Sequence, residues 1–363
     1  MKVVILAEYT EKRLNNGCLR HIFNLVENLS KQRGIDLNIV TLSKENKTIK
    51  EQNKTIHKIK KNFLPYAIVL LKRKVEQINP DVVHALGGVP YSTISTMLKL
   101  PTIWSLLGFI QVESKFYKGK DLLFANLFDK PNERYVLSKS KNIIVQTPNL
   151  REIIKKNTKA KIFLLREGFE MMDYNRTIQD PTDIFAFERL VKLKGFDLLI
   201  KACKLVVKTF PNLKVYIAGE GEERENIEKL IKELKLEKNI KLLGFIDDRS
   251  IAGYFKSCKI VSAPSRWDLD PFSPINARRA GKPSIVTKGA NSCIRDGEDG
   301  FVIDNENIKQ LAEKIIILMG DDYLRKKMGA KALENSKEHN WDNIINNLLN
   351  IYKEVINENF VHM

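Results

Sequence analysis

The segment Phe187–Ile200, FERLVKLKGFDLLI, places two cations, Arg189 and Lys194, in a loop between an apolar strand run and a helix that begins near Gly195. Cations so spaced can bracket a diphosphate and stabilise the charge of a departing phosphate without a metal. In a chain with 61 Lys and Arg they can also be two exposed basic residues, but a position at the carboxyl end of a strand favours the functional reading. A second stretch, Pro264–Gly281 (PSRWDLDPFSPINARRAG), follows the short strand run Lys259–Ala263 and opens into a helix. Ser273 suits the N-cap and Pro274 the first helical position, while Gly281 and Pro283 end the helix. The free N–H groups of its first turn suit an anion; a structural turn with a short capped helix fits the same residues. Asp268 and Asp270 add carboxylates. Their D-x-D spacing mimics a metal site that belongs after a strand in a different, single-domain nucleotide fold, and a metal is not expected. In VYIAGEGEERENI, Gly219 and Gly221 form a tight turn into a helix, only loosely like a nucleotide loop because G-x-G-x-x-G is absent.

The elements that must position these residues read as two alternating series. Val3–Ala7, Leu37–Thr41, Val82–Ala85, Thr102–Leu106 and Ile143–Gln146 are expected strands, separated by helical patterns, which implies a parallel doubly wound sheet. Gly17 opens an amphipathic helix with Leu19, Ile22, Phe23, Val26 and Leu29 on one stripe. The periodicity lapses around Phe169–Asp183, and a second strand–helix series runs from Ile184–Phe187 to Phe301–Ile303. The expected division is residues 1–170, a linker at 171–183, a second domain at 184–338, and a terminal helix over 339–363 that packs back on the first domain. Two such halves place a cleft between the carboxyl ends of their sheets.

The chain has 363 residues, 43% hydrophobic and 29% charged, which describes a soluble globular protein of about two domains. No apolar run approaches the ~18 residues of a membrane span, and Met1–Tyr9 reads as a first strand and not as a signal peptide. Cys18, Cys203, Cys258 and Cys293 show no metal or redox spacing and suggest reduced thiols in the cytoplasm. The formal net charge of +17 comes with no nucleic-acid motif. Its densest part, Lys44–Lys74, encloses the apolar run Phe63–Leu71 and fits either an anionic membrane surface or a solvated loop followed by a buried helix. His84 ends a strand, His21 lies near the first helix start, and His57 and His339 read as surface residues.

RLVKLKGFDLLI, IAGEGEERENIEKL, KLLGFID, APSRW, RRAGKPSIVT and IRDGEDGFVI, in that order and spacing, resemble the donor-binding domain of family 4 glycosyltransferases, the retaining group 1 enzymes with the GT-B fold. NNGCLRHIFNLVENL, PDVVHALGG and LLREGFE extend the resemblance into the first domain. It implies that Arg189 and Lys194 hold the donor pyrophosphate and that Gly17 closes over it, with Asn16 in the place of a preceding glycine. It also implies that the backbone of Pro271, Phe272 and Ser273 lines the donor, with Gly219 and Gly221 nearby. Asp268 and Asn276 fall where the family has two glutamates, one for the donor sugar and one for the ribose; Asp270 is a second candidate for the first role. The sequence departs from the pattern elsewhere: Leu107 replaces a donor-contacting histidine, and Glu188 replaces a glycine beside the phosphate-binding arginine. At an effective dielectric of about 20, a phosphate about 6 Å away would repel Glu188 by roughly 3 kcal/mol, so Glu188 is expected to turn away or pair with a basic neighbour. Arg278 and Arg279 stand where the family packs small or apolar residues.

The resemblance therefore implies a metal-independent, cofactor-free retaining transferase that moves a sugar from a nucleoside diphosphate sugar to a glycan, lipid-linked or small-molecule acceptor. Nucleic acid is not an expected partner; the cytoplasm, with peripheral attachment at the inner membrane surface, is the expected location. The competing reading is a GT-B module that binds nucleotide or glycan, or supports a partner enzyme, without turnover; a sugar-nucleotide epimerase is a third.

Overall fold

The computed structural model describes residues 1–10, 17–61, 63–169, 174, 178, 180–269, 271–291 and 293–361, and Asp270, Asn16 and most of the expected linker lie outside them. Two compact units emerge: Met1–Gly168 with Trp341–Met363, and Phe169–Asn340.

In the first unit the strands are β1 (Lys2–Leu6), β2 (Asp36–Ser43), β3 (Lys47–Lys50), β4 (Lys54–Lys60), β5 (Val82–Leu86), β6 (Thr102–Ser105), β7 (Asn142–Val145) and β8 (Lys161–Leu164). They pair in the order β3-β4-β2-β1-β5-β6-β7-β8, parallel except for β3, which runs antiparallel to β4. The helices are α1 (Gly17–Ser30), α2 (Leu64–Ile78), α3 (Tyr91–Ser95), α4 (Ile110–Glu113), α5 (Gly119–Phe124), α6 (Lys130–Lys139) and α7 (Pro148–Ile154), with a π-helical turn, Ala125–Asp129, joining α5 to α6.

β1 is buried from Val3 onward because KVVIL has apolar side chains for both faces of the sheet. The stripe Ile22, Leu25, Val26 and Leu29 of α1 packs over it, together with Ile344, Ile345, Leu348 and Tyr352 from the last helix, Trp341–Val361. Within the basic stretch Lys44–Lys74, for which a solvated loop was one of two expectations, residues 47–60 form β3 and β4 at the edge of the sheet. Its Lys-rich sequence hides the pattern, but Ile56 faces the core and charged side chains at an edge strand discourage pairing with other chains. His57, expected on the surface, is 8% exposed and bonded through Nε2 to Asn38 at 3.1 Å.

The second unit has strands β9 (Ile184–Phe187), β10 (Val215–Ala218), β11 (Ile240–Gly244), β12 (Ile260–Ala263), β13 (Ser284–Thr287) and β14 (Gly300–Ile303). All are parallel, in the order β11-β10-β9-β12-β13-β14. Helices α8 (Phe196–Val206), α9 (Arg224–Glu233), α10 (Asp248–Ser257), α11 (Phe272–Arg279), α12 (Ile308–Gly320) and α13 (Asp322–Asn335) follow in turn, and the last helix of the chain is α14 (Trp341–Val361). The strand order reverses between β9 and β12, so the loops that leave these adjacent strands open side by side at a topological switch point, where ligands bind in open α/β sheets. Among the described residues no helix is long and apolar enough to cross a membrane.

Candidate functional site

The loops after β9 and β12 carry the sequence candidates, and backbone contacts hold them together. The Arg266 N–H donates to the Leu193 carbonyl at 2.8 Å, and the Arg266 guanidinium donates to the Lys192 carbonyl at 2.6 Å and to Asp197 at 2.9 and 3.0 Å. Asp197 lies in the first turn of α8 and is held down at about 2: burial opposes this, but hydrogen bonds from Arg266 and Lys192 outweigh it. Arg266 is a site residue that the sequence marks only as a cation two residues past a strand-ending proline. Gly195 bridges the two loops, with φ +69° and a hydrogen where any Cβ would collide with the Pro264 carbonyl. Gly219 is at φ +132° and lies against the Glu188 carbonyl, so the glycine turn after β10 serves the close packing of the β9 loop. Gly221 lies similarly against the Leu190 backbone.

Within this frame Lys194, 9% exposed, sits between two carboxylates. Its Nζ donates to Asp268 and lies 3.1 Å from Glu188 Oε2. Burial alone would push the Lys194 ammonium down, but the charges of Asp268 and Glu188 outweigh it and hold it above its ordinary range. Glu188 is also raised, above the range of a free carboxyl. Burial raises it, the Lys194 charge opposes, and the neighbouring Asp268 charge adds to the rise. Glu188 thus pairs with a basic neighbour, one of the two outcomes expected for it. Arg189, next in the chain, is exposed, so the two cations of the motif differ in state: one is committed inside the protein and the other is open to solvent.

Helix α11 begins earlier than expected. Pro271 is its N-cap residue, and Ser273, expected as the cap, is the second helical residue; its hydroxyl donates to the Phe187 carbonyl. Proline at position 274 removes one first-turn donor, leaving the N–H groups of Phe272 and Ser273 at the positive end of the helix. The Phe272 ring packs against Phe187 and Phe169 at centroid distances of 5.4 and 6.2 Å. Asn276 is 1% exposed; its Oδ1 accepts from the Tyr174 hydroxyl at 2.9 Å and its Nδ2 donates to the Phe272 carbonyl at 2.8 Å. The side chain expected to hold a ribose therefore has both ends occupied inside the protein.

Arg278 and Arg279 do not reach toward the switch-point loops. Arg278 is fully buried, 3.3 Å from Asp299, and Arg279 donates to the Phe169 carbonyl at 2.6 Å. His339, expected on the surface, is fully buried beside them. These contacts anchor α11 from its carboxyl end.

In the first unit Gly17 opens α1, and an added Cβ there would meet no described atom within 4 Å. Leu107 packs on the core at the end of β6. His21 pairs with Glu167 at 3.2 Å, and His84 is buried between Tyr352 and Ser105. Burial, reinforced by the His21 charge, pushes His84 down to about 3, so it remains neutral and structural.

Two doubly wound sheets, parallel except at β3, with these switch-point loops have the GT-B fold. Residues 170–335, most of the second unit, match the family model for glycosyl transferases group 1. The poly(ribitol-phosphate) alpha-N-acetylglucosaminyltransferase of Staphylococcus aureus is 29% identical over 231 residues, which are 61% of this chain and 46% of that enzyme, so the chain spans about half the length of this relative. Sucrose-phosphate synthase from Thermosynechococcus elongatus superposes with a TM-score of 0.77 at 15% identity, covering 98% of this chain and 99% of that one. An Anabaena protein in complex with UDP-glucose superposes with a TM-score of 0.73 at 14% identity, covering 98% and 100%.

Proposed function

We propose that the chain is a retaining, metal-independent glycosyltransferase that moves a sugar from a nucleoside diphosphate sugar to a glycan, lipid-linked or small-molecule acceptor. The observation that carries this reading is the pair of cations at the switch point, Arg189 exposed and Lys194 fixed between Glu188 and Asp268. In the transfer, the bond between the anomeric carbon and the phosphate oxygen breaks with its electron pair on the diphosphate. The acceptor hydroxyl oxygen bonds to the same carbon and its proton passes to the departing phosphate. Arg189, Lys194 and the Phe272 and Ser273 N–H groups stabilise the charge that develops on the leaving group, and Asp268 orients the donor sugar. Asp270, outside the described residues, is the alternative for that last role. The UDP-glucose bound by the Anabaena protein makes a uridine donor the first to test.

The second reading, a module that binds without turnover, is favoured by two observations: Lys194 already has two internal carboxylate partners, and Asn276 is occupied. Calorimetry with UDP, GDP, ADP and their sugar conjugates separates the readings. Saturable binding of one series, weakened at least about tenfold by Arg189→Ala, locates the donor site; donor hydrolysis or transfer to added acceptors then marks an enzyme. Binding without either, over many acceptors, marks the module, and no binding to any nucleotide removes the donor-site reading. Arg189 is the informative substitution, because removing Lys194 would leave two buried carboxylates unpaired.

A further inference from the structure

The donor site contains its own anion. Two carboxylates, Glu188 and Asp268, share the single ammonium of Lys194, so this internal cluster carries one net negative charge when all three are ionised. Glu188 is 14% exposed, and its Oε1 is buried with no hydrogen-bond partner. Three groups act on its carboxylate: Lys194 from the turn after β9, Asp268 from the loop after β12, and the backbone N–H of Ser273 from the first turn of α11. Lys194 and the Ser273 N–H are also the groups a ligand phosphate would use. A glycine here would leave them free, and a glutamate occupies them.

We propose that Glu188 gates the donor site: a nucleoside diphosphate sugar binds with uptake of one proton by Glu188, which changes from the counter-ion of Lys194 into a neutral hydrogen-bond donor to the phosphate. This rests on the donor-site reading of Lys194 and Arg189. The step balances simply: solvent supplies the proton, the carboxylate becomes a carboxyl, Lys194 exchanges one anionic partner for another, and no covalent bond changes. Asp268 keeps its contact with Lys194 and holds it oriented. Burial and the Asp268 charge already bias Glu188 toward its neutral form, and the negative charge of an arriving diphosphate adds to that bias. By linkage, affinity then rises as pH falls, by no more than about tenfold per pH unit for one proton. Glu188 acts through Lys194 and the phosphate contacts and is a positioning and specificity residue.

The test is calorimetry of wild type, Glu188→Gln and Glu188→Gly with UDP-glucose, GDP-mannose and ADP-glucose between pH 6 and pH 8. Each titration is run in two buffers of different ionisation enthalpy. The diphosphate diesters of these ligands do not titrate in that range, so any proton taken up belongs to the protein. Expected for wild type is a measurable fraction of a proton taken up per ligand bound, and affinity that weakens as pH rises. Expected for Glu188→Gln is no uptake, a flat profile and, at pH 8, binding about tenfold tighter than wild type. A purely structural role would change the melting temperature without moving the proton count. Wild-type binding with a flat pH profile and no uptake overturns the gate and leaves the donor site standing; so does proton uptake that persists in Glu188→Gln. If none of the three proteins binds any of the three sugars, the donor-site reading falls and the gate with it. Should the variants fail to fold, the wild-type proton count decides alone.

Discussion

His84 Nδ1 lies 2.7 Å from the Tyr352 hydroxyl, a contact that joins β5 to the last helix of the chain across 268 positions. The other ring nitrogen is 2.7 Å from the Ser105 hydroxyl, so a neutral imidazole has both its donor and its acceptor satisfied in a site sealed from water. Tyr352→Phe removes one partner and leaves a buried ring nitrogen unmatched, which is expected to cost about 1–3 kcal/mol in urea unfolding. The sign of the pH effect follows from the depressed histidine. The unfolded chain binds a proton near pH 6.5 and the folded chain only near pH 3, so this contribution is present above about pH 6.5 and is lost as pH falls toward 3. A Tyr352→Phe protein as stable as wild type would mean that apolar packing alone holds α14.

Periodicity made both sheets legible. Val3–Leu6, Ile184–Phe187 and Ile260–Ala263 are short apolar runs bounded by turn residues, and burial on both faces of a parallel strand demands that composition. The edge strand β3 and its neighbour β4 were not legible because their lysines read as solvent-exposed, which is what an edge such as β3 requires. The states of the charged residues were hidden for a different reason. Lys194 takes its partner from 74 positions away, and Arg278 takes Asp299 from beyond the next strand, so only tertiary structure shows that both side chains are buried. Arg189 lacks such a carboxylate partner among the described residues, and no local feature of the sequence separates it from Lys194.

Gly195 tests whether the two switch-point loops must touch. With φ at +69° and the Pro264 carbonyl against its hydrogen, Gly195→Ala combines a left-handed backbone with a collision against main chain. The expected loss is about 2 kcal/mol or more, with donor binding weakened because the loop carrying Arg266 and Asp268 has to shift. Thermal melting and nucleotide titration on the same sample check both parts. An unchanged melting temperature would show that the loops yield easily.

Glu133 gives a pH signature in the first unit. Its carboxylate accepts the Ile110 N–H at 2.9 Å and the Gln111 N–H at 3.3 Å, and burial pushes it up to about 7 against these bonds. Between its ordinary value of 4.5 and about 7 the folded chain holds more protons than the unfolded chain, so this residue's contribution to stability declines as pH rises through that window and is level above it. Glu133→Gln does not titrate. The change in unfolding free energy from pH 5 to pH 7.5 should therefore be more favourable in the variant than in wild type by an amount on the order of 1–3 kcal/mol, with other groups cancelling in the comparison. Parallel curves would assign the pH dependence to other residues.

The exposed apolar residues of the first unit put the expectation of an anionic membrane surface to a test. α5 and the π-helical turn expose Leu123, Phe124, Leu127 and Phe128, each by more than half, at spacings that put them on one side of a helix. Lys115, Lys118, Lys120 and Lys130 flank them, against Asp121 and Asp129. The start of α2 exposes Phe63, Leu64, Tyr66 and Val69, where sequence reading had allowed an ordinary buried helix; Ala67 and Leu71 alone of that run turn fully inward. Apolar side chains among lysines gain from both terms of interfacial binding, insertion below the headgroups and attraction to anionic lipid. In sedimentation with vesicles containing phosphatidylglycerol, the protein is expected to bind at low salt and to dissociate as salt screens the lysines. Replacing Leu123, Phe124, Leu127 and Phe128 with serine should weaken binding by at least about tenfold, with the fold checked by melting. Binding that survives these replacements but not added salt would make the attachment electrostatic, with α5 facing another partner; no binding at low salt would remove the membrane expectation.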